Sequence, residues 1–357
     1  MIATLARNRS HSPRIESSHA LCFPGQLAED LTAAGAPPVI IGPVRTRYPW
    51  QVWLARRRLA ALIRREKTDA VMCHGPWSYA LFGQEARKAG IPLFFWMHNQ
   101  ATGNWWPERA TARHPPDFVI CNSQYTASTL PKLCSRPPLP PYRILPCPVS
   151  PPARDAGSSR SALRSEFNTP LNAKVVIQVS RMEPWKGQRQ LLRALGGLRE
   201  MPDWIAWFAG GAQLPHETEY LESLRNEVQR LGISERVRFL GHRRDVPRLL
   251  AASDVFCQPN ESPEPFGIVF IEALYAGLPV ISTAIGGASE IVDDSCGRLV
   301  PPDSLEALAE ALRETLTDDT FREKCAIGGP RRASGISAPE TILAKLEEML
   351  LGIRHGG

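Results

Sequence analysis

The sequence predicts an α/β protein built from two doubly wound, parallel-sheet domains facing a central cleft. Three observations carry this. The length of 357 residues suits about two domains at roughly 100–200 residues each. Short apolar, β-branched runs alternate with helix-length stretches, most cleanly after residue 172, as in βαβ units whose sheet is covered on both faces. A proline-dense segment, RPPLPPYRILPCPVSPP at 136–152, resists helix and reads as a semi-rigid joint. The expected organisation is a poorly patterned segment at 1–17, a first domain at 18–150 and a second at 151–357.

In the first half, SSHALCF, PPVIIG, DAVMCH, IPLFFWMH and DFVICNS read as strands, with helical stretches that include 50–67 and 79–89. The second half opens on AKVVIQVS (173–180), followed by a helix from Gln188 to about Leu198. Then come DWIAWFAGG (203–211), a long polar helix near 217–231, RVRFLG (236–241) and VPRLLAAS (246–253). DVFCQPN (254–260) leads to a helix from about Phe266 to Ala276, then LPVIST (278–283) and GRLVPP (297–302), with a last helix from Ser304. Right-handed crossovers turn such a series into a doubly wound, Rossmann-like sheet. Ligands of such sheets bind outside the carboxyl ends of the strands.

Composition excludes several classes. At 43% hydrophobic and 22% charged residues the chain is an ordinary globular one. It has no run of about 18 apolar residues for a spanning helix, and MIATLARNRSHSPRIESS lacks the apolar core of a secretory signal. The eight cysteines are scattered without a C-x-x-C pair, which argues against a zinc site or a disulfide scaffold. Buried free thiols and a cytoplasmic location are expected.

Charge is uneven. Residues 1–150 hold 18 Lys/Arg against 8 Asp/Glu, a balance of +10, and the remainder carries −4. A basic half suits a polyanion, an anionic membrane surface or plain solvation. The helix WQVWLARRRLAALIRREK (50–67) can turn Trp50, Val52, Trp53, Leu59, Leu62 and Ile63 towards one broad side, with Arg56 to Arg58, Arg64, Arg65 and Lys67 supplying charge. It reads either as a peripheral contact with the inner face of an anionic membrane or as a helix packed on its own sheet.

Two segments carry chemistry. In ESPEPFGIVFIEALYAGLPVISTAIGGASEIV (261–292), Pro265-Phe266-Gly267 stands where a loop becomes a helix. Free N–H groups and the helix dipole favour an anion there, and Gly267 allows a ligand close to the backbone. Glu264 lies before this turn and Glu272 about 7.5 Å along the helix from Gly267 at about 1.5 Å per residue. The set could read sugar, diphosphate and ribose in turn, or Glu264 could be a helix-start acid and Glu272 a surface residue. In VSRMEPWKGQ (179–188), Arg181 follows a strand and Lys186 precedes a helix. They could clamp a diphosphate, by a forked contact and a point charge, or be solvated loop cations.

The pairing of S-R-x-x-x-x-K-G with E-x-x-E-P-F-G-I-x-x-x-E-A-x-x-x-G-x-P-V resembles the retaining glycosyltransferases of family 4, which have the GT-B fold of two Rossmann-like domains. The resemblance runs from about 172 to 316. It includes FAGGA (208–212), VRFLGHRRDV (237–246), ASDVFCQP (252–259) and IGGASEIV (285–292), with weaker support from CHGPW (73–77), WMHN (96–99) and ICNS (120–123). It implies that Arg181 and Lys186 bind the donor diphosphate and that Glu264 lies near the donor sugar. Phe266, Gly267 and Ile268 then meet phosphate through backbone N–H groups, Glu272 binds ribose, and Gly241 to Asp245 lie near the base. His98 matches an active-site histidine facing the sugar. Family members usually open with a strand and a glycine-rich loop, often Gly-Gly-x-Glu. No such loop precedes Gly25, so the first domain is expected to be incomplete.

The function implied is transfer of a hexose, with retention, from a UDP- or GDP-linked sugar to a hydroxyl of a glycan or lipid-linked acceptor. A non-catalytic nucleotide-sugar-binding remnant and an epimerase-like enzyme on the same scaffold remain as alternatives. Without G-x-x-x-x-G-K-[ST] or G-x-G-x-x-G, a P-loop ATPase or dinucleotide dehydrogenase has no local support. Without D-x-D, no metal is suggested, and no cofactor or nucleic-acid partner is expected.

Overall fold

The computed structural model describes residues 1–134, 138–152 and 160–354. Part of the proline-dense joint and most of the polar run after it lie outside the described residues. The chain forms two compact units, Met1–Ser150 with Ser337–Gly357, and Pro151–Ile336.

The second unit is a six-stranded parallel sheet. Its strands are β7 (Lys174–Val179), β8 (Trp204–Ala209), β9 (Val237–Gly241), β10 (Val255–Gln258), β11 (Val280–Thr283) and β12 (Gly297–Val300). They lie in the order β12-β11-β10-β7-β8-β9. The chain enters at the centre, builds outward to β9, then returns beside β7 to build the other half. The order therefore reverses between β7 and β10, where Val176 pairs with Val255 and Ile177 with Phe256. Crevices form at such a point at the carboxyl ends of the strands. The near-continuous apolar runs of β8 and β10 are buried throughout, as strands covered on both faces must be.

The amino ends of the two central strands are pinned by Arg164, which is fully buried. Its guanidinium donates to the carbonyls of Ala252 (3.2 Å) and Ala173 (2.7 Å) and to Asp254 (2.6 Å). Asp254 also accepts the Val175 N–H at 2.7 Å. A buried charge is tolerated only when so completely paired.

The first unit holds a parallel pair, β1 (Ala20–Leu21) with β2 (Val39–Ile40), and a four-stranded parallel sheet. That sheet runs β3 (Val71–His74), β4 (Leu93–Met97), β5 (Phe118–Cys121) and β6 (Tyr142–Ile144) in sequence order. Alternate residues of β4 and β5 serve opposite faces, as the strand period requires. Phe95, Val119 and Cys121 pack with Tyr79 and Leu130 on one face. Phe94, Trp96, Phe118 and Ile120 pack with Ile342 and Leu346 on the other.

Two expectations are corrected here. Residues 337–354 belong with the first unit rather than the second, because Ile342 and Leu346 of the helix Pro339–Arg354 cover the second face of β4 and β5. The opening segment is patterned too: Ile2–Arg7 is helical, Met1 and Leu5 join the same cluster, and Arg14 pairs with Glu347 at 3.0 Å. A third correction concerns the helix Pro49–Arg65. Its apolar residues do not share one side. Ala55, Leu59, Leu62 and Ile63 are buried against Ile41, Val44, Leu81 and Phe82, whereas Trp50 and Trp53 are 62% and 57% exposed.

Candidate functional site

The site of the second unit grows from two loops at the β7–β10 reversal. After β7 the chain passes through Ser180 and Arg181 into a short turn, Pro184–Lys186, and then Gly187 at φ +74°. A Cβ at Gly187 would lie 1.8 Å from the carbonyl oxygen of Pro259, so the glycine is what lets the two loops meet. Side-chain amides hold the first loop. Gln178 donates to the Lys186 carbonyl at 2.7 Å, and Gln188, fully buried, donates to the Arg181 carbonyl at 2.7 Å. The Glu261 N–H donates to the Trp185 carbonyl at 2.8 Å, locking the second loop onto the first.

Lys186 and Glu264 meet across this junction. Nζ lies 2.5 Å from Oε2, and both side chains are 14% exposed. The ammonium also sits 3.8 Å from the centre of the Trp185 ring, a favourable placement for a cation. The Glu264 backbone is fixed in turn. Its carbonyl accepts the Gly287 N–H at 2.7 Å, and it bridges to Gly286 as a one-residue parallel strand. A Cβ at Gly286 would stand 2.5 Å from the Glu264 carbonyl oxygen, and one at Gly287 2.3 Å from that of Phe266. The Gly-Gly pair is therefore a packing requirement of the carboxylate loop.

Arg181 is half exposed and bonds Glu183, with Glu217 at 3.4 Å from the same nitrogen. Glu217 is fully buried. It accepts the N–H groups of Gln213 (2.5 Å) and Leu214 (3.1 Å), which hold its carboxyl below the usual range despite burial. Arg181 thus stands over a fixed negative charge with much of its guanidinium open to solvent.

Beyond Glu264, Phe266 is buried and Gly267 (φ +99°) caps the helix Ile268–Tyr275. A Cβ at Gly267 would reach within 2.3 Å of the Phe270 ring. Ile268, 36% exposed, opens the helix, whose first N–H groups have no intrahelical acceptor. One turn further, burial pushes the Glu272 carboxyl up to about 7. That carboxylate makes no hydrogen bond or ion pair among the described residues, so hydroxyl donors brought by a ligand would relieve its desolvation.

Gly241 and Asp245 stand elsewhere, at the carboxyl end of the edge strand β9. Gly241 (φ +67°) accepts the Gly210 N–H at 2.8 Å. Asp245 is held by both ends of the Arg243 guanidinium at 2.8 Å, which keeps its carboxyl low. Arg243 also reaches Glu166 at 2.9 Å. Among the predicted residues of this unit, the structure brings Lys186 and Glu264 into contact. Arg181 and Gly267 lie on the same two loops, and Asp245 is engaged by a neighbour.

His98, in the first unit, follows β4. Its Nε2 lies 3.0 Å from Nδ1 of His74, at the end of β3. The rings are parallel within 8°, and both stack on the buried Trp96. Asn122 donates to the His98 carbonyl at 3.0 Å. Burial pushes His98 down to about 4 and, with the neighbouring imidazoles His98 and His19, pushes His74 to about 3. Both rings are therefore neutral at pH 7. Sequence reasoning assigned no role to His74 or Glu217. The signal for His74 was its place before a glycine at a strand end in CHGPW; nothing in the local pattern marked Glu217, which is defined by a loop folding back on it.

Comparison with known proteins agrees with this architecture. Residues 7–151 match the family description Glycosyltransferase Family 4, and residues 159–332 match Glycosyl transferases group 1. The chain is 34% identical over 177 residues to D-inositol 3-phosphate glycosyltransferase of Corynebacterium glutamicum (strain R), covering 48% of this chain and 41% of that protein. The match thus spans less than half the length of that relative. It is 29% identical over 324 residues to the GDP-mannose-dependent alpha-(1-6)-phosphatidylinositol monomannoside mannosyltransferase of Mycolicibacterium smegmatis, covering 84% and 80%. Among solved structures, Anabaena Alr3699/HepE in complex with UDP and glucose superposes with a TM-score of 0.82 at 24% identity, covering 98% of this chain and 95% of that one. A glycosyltransferase from Rickettsia africae gives 0.84 at 17% identity, covering 100% and 95%. These likenesses carry the fold, and the family matches on either side of residue 155 together take in most of the sequence. The chain belongs to glycosyltransferase family 4 and has the GT-B fold.

Proposed function

We propose that this chain is a hexosyltransferase that moves a sugar from a UDP- or GDP-linked donor to an acceptor hydroxyl with retention at the anomeric carbon. The observation that carries the reading is the junction at the β7–β10 reversal. Two cations, a largely shielded ammonium–carboxylate contact and a glycine-capped helix start occupy adjoining loops there. Arg181 and Lys186 suit a diphosphate, and the first N–H groups of the helix from Ile268 add fixed dipoles. Glu272, partly desolvated and without a hydrogen-bond partner among the described residues, suits the two hydroxyls of a ribose. Glu264, bonded to Lys186, sits where a donor sugar would follow the diphosphate. The base would extend towards Gly241 and Asp245, and the family resemblance gives His98 a sugar-facing role.

In the step itself the bond from the anomeric carbon to the diphosphate oxygen breaks, and the acceptor oxygen bonds to that carbon on the same face. The acceptor proton passes to the departing phosphate oxygen. Positioning and charge stabilisation supply the acceleration. The negative charge that grows on the leaving group meets Arg181 and Lys186. The test is incubation with UDP-glucose and with GDP-mannose, each with candidate glycan and lipid-linked acceptors. Transfer of an α-linked hexose from one of these α-linked donors is expected; a β-linked product, or donor epimerised without transfer, would overturn the reading.

The helix Pro49–Arg65 supports a reading in which the acceptor is met at a membrane surface. No described helix is long and apolar enough to cross a membrane; the reading is of a peripheral contact with the inner, cytoplasmic face. Between Asp30 and Glu66 the chain has seven arginines and no acidic residue. Exposed Trp50, Trp53 and Leu54 stand among them, with Arg57 stacked 4.7 Å from the Trp53 ring. Exposed tryptophan with arginine and without acid suits the headgroup layer of an anionic bilayer. Sedimentation with anionic vesicles is expected to carry the protein down, and with neutral ones to leave it in solution. Equal recovery in both supernatants would remove the membrane from the account.

A further inference from the structure

The two histidines of the first unit share a constraint that follows from counting protons. Each ring is neutral and carries one N–H. One hydrogen atom lies between His74 Nδ1 and His98 Nε2, which are 3.0 Å apart. If His74 donates, it carries its proton on Nδ1, and His98, with Nε2 bare, carries its own on Nδ1. If His98 donates from Nε2, the bare Nδ1 of His74 leaves that ring protonated on Nε2. The rings must therefore adopt the same tautomer. The two outer nitrogens, His98 Nδ1 and His74 Nε2, must then differ, one a donor and the other an acceptor. Neither outer nitrogen has a hydrogen-bond partner among the described residues.

We propose that His74 is the positioning residue of His98: through this bond it fixes the plane of the His98 ring and sets whether its outer nitrogen donates to or accepts from a sugar hydroxyl. The proposal rests on the reading of His98 as the sugar-facing histidine. The surroundings support a built pair. Parallel strands place the two rings side by side, His74 pairing in register with Trp96, two residues before His98. The fully buried Trp96 stacks under both, with ring centres 5.5 and 5.8 Å away. Asn122 holds the His98 backbone. A histidine with one nitrogen tied to a second group has its remaining nitrogen defined, and here the second group is another imidazole with a free end of its own.

The test uses the whole chain in three forms: wild type, His74→Phe and His74→Asn. Phenylalanine keeps a ring on Trp96 and removes the bond. Asparagine places an amide near the former Nδ1 and keeps a partner for His98. In wild type labelled with ¹⁵N-histidine, the nitrogen shifts at pH 7 are expected to show matched tautomer fractions for residues 74 and 98. Opposite tautomers would overturn the pairing. With UDP-glucose or GDP-mannose, whichever is turned over, His74→Phe should lower kcat about tenfold to a hundredfold with donor KM changed less than about twofold, as for a misplaced catalytic contact. His74→Asn should regain most of the loss. Unchanged kcat in His74→Phe, or equal loss in both variants, would overturn the positioning role. If neither donor is turned over, the transferase reading fails on its own, and matched or opposite tautomers still decide for or against the His74 assignment.

Discussion

Lys186 and Glu264 are each largely shielded from water and lie 2.5 Å apart. A diphosphate arriving at Lys186 therefore competes with a carboxylate already in place. On the proposed function, that competition costs ground-state affinity, whereas the charge that develops on the leaving group in the transition state is extra and would be met by the same cation. Lys186→Ala is expected to lower kcat about a hundredfold, on the order of 3 kcal/mol, while raising the donor KM much less. Steady-state kinetics measure both; an unchanged kcat with a raised KM would confine Lys186 to ground-state binding. Glu272 gives a second expectation. Burial pushes its carboxyl up to about 7, and ribose hydroxyls donating to it favour the charged form and lower that value. Nucleotide binding at pH 7 should thus release roughly half a proton, falling towards zero by about pH 9, where the carboxyl is already ionised. Calorimetry in buffers of different ionisation enthalpy reads this, and the release should vanish in Glu272→Gln. Lys186, Glu264 and Gly267 were legible because local motif and chain direction place them. His74 and Glu217 were not, since each is defined by a partner on another strand or loop whose register no local pattern states.

The helix Pro49–Arg65 shows where pattern reading stops for an element. Its extent was legible at 50–67, but its inner face was not, because tryptophans and arginines leave every side partly apolar. Neighbours decide it: Leu59 and Leu62 pack on Leu81 and Phe82, and Trp53 is left outside. Leu59→Ala should cost about 2–4 kcal/mol in denaturant unfolding of its unit. A Trp50→Ala/Trp53→Ala double variant should leave that midpoint within about 0.5 kcal/mol yet reduce recovery with anionic vesicles. A double variant that binds vesicles like wild type would locate any membrane contact elsewhere. The last helix teaches the same lesson: that it completes the first unit depends on the face of β4 and β5 that it covers, which no local pattern states. At the opposite end of the second sheet from the site, Arg164→Ala would take the donor from four carbonyls and leave Asp254 with Arg160 and the Val175 N–H as its partners. A loss of about 3–5 kcal/mol follows, since each buried acceptor left unsatisfied costs about 1–3 kcal/mol, and chemical denaturation would report it.

For the whole molecule, strand order carries more of the argument than any single residue. The reversal between β7 and β10 creates the crevice, and the two loops leaving those strands bear the cations and carboxylates that the sequence motifs marked. Alternation of strands and helices made the doubly wound class legible. The strand order and the return of the C-terminal helix to the first unit are long-range pairings that only the folded chain specifies. The central claim is that the β7–β10 junction holds a nucleoside diphosphate with its ribose on Glu272. Calorimetric titration of wild type and Glu272→Ala with UDP and with GDP tests it most directly. The account predicts saturable one-to-one binding of one nucleotide, weakened about tenfold or more in the variant by loss of hydroxyl bonds to a charged acceptor. No heat with either nucleotide, or equal affinity in the two proteins, would contradict it.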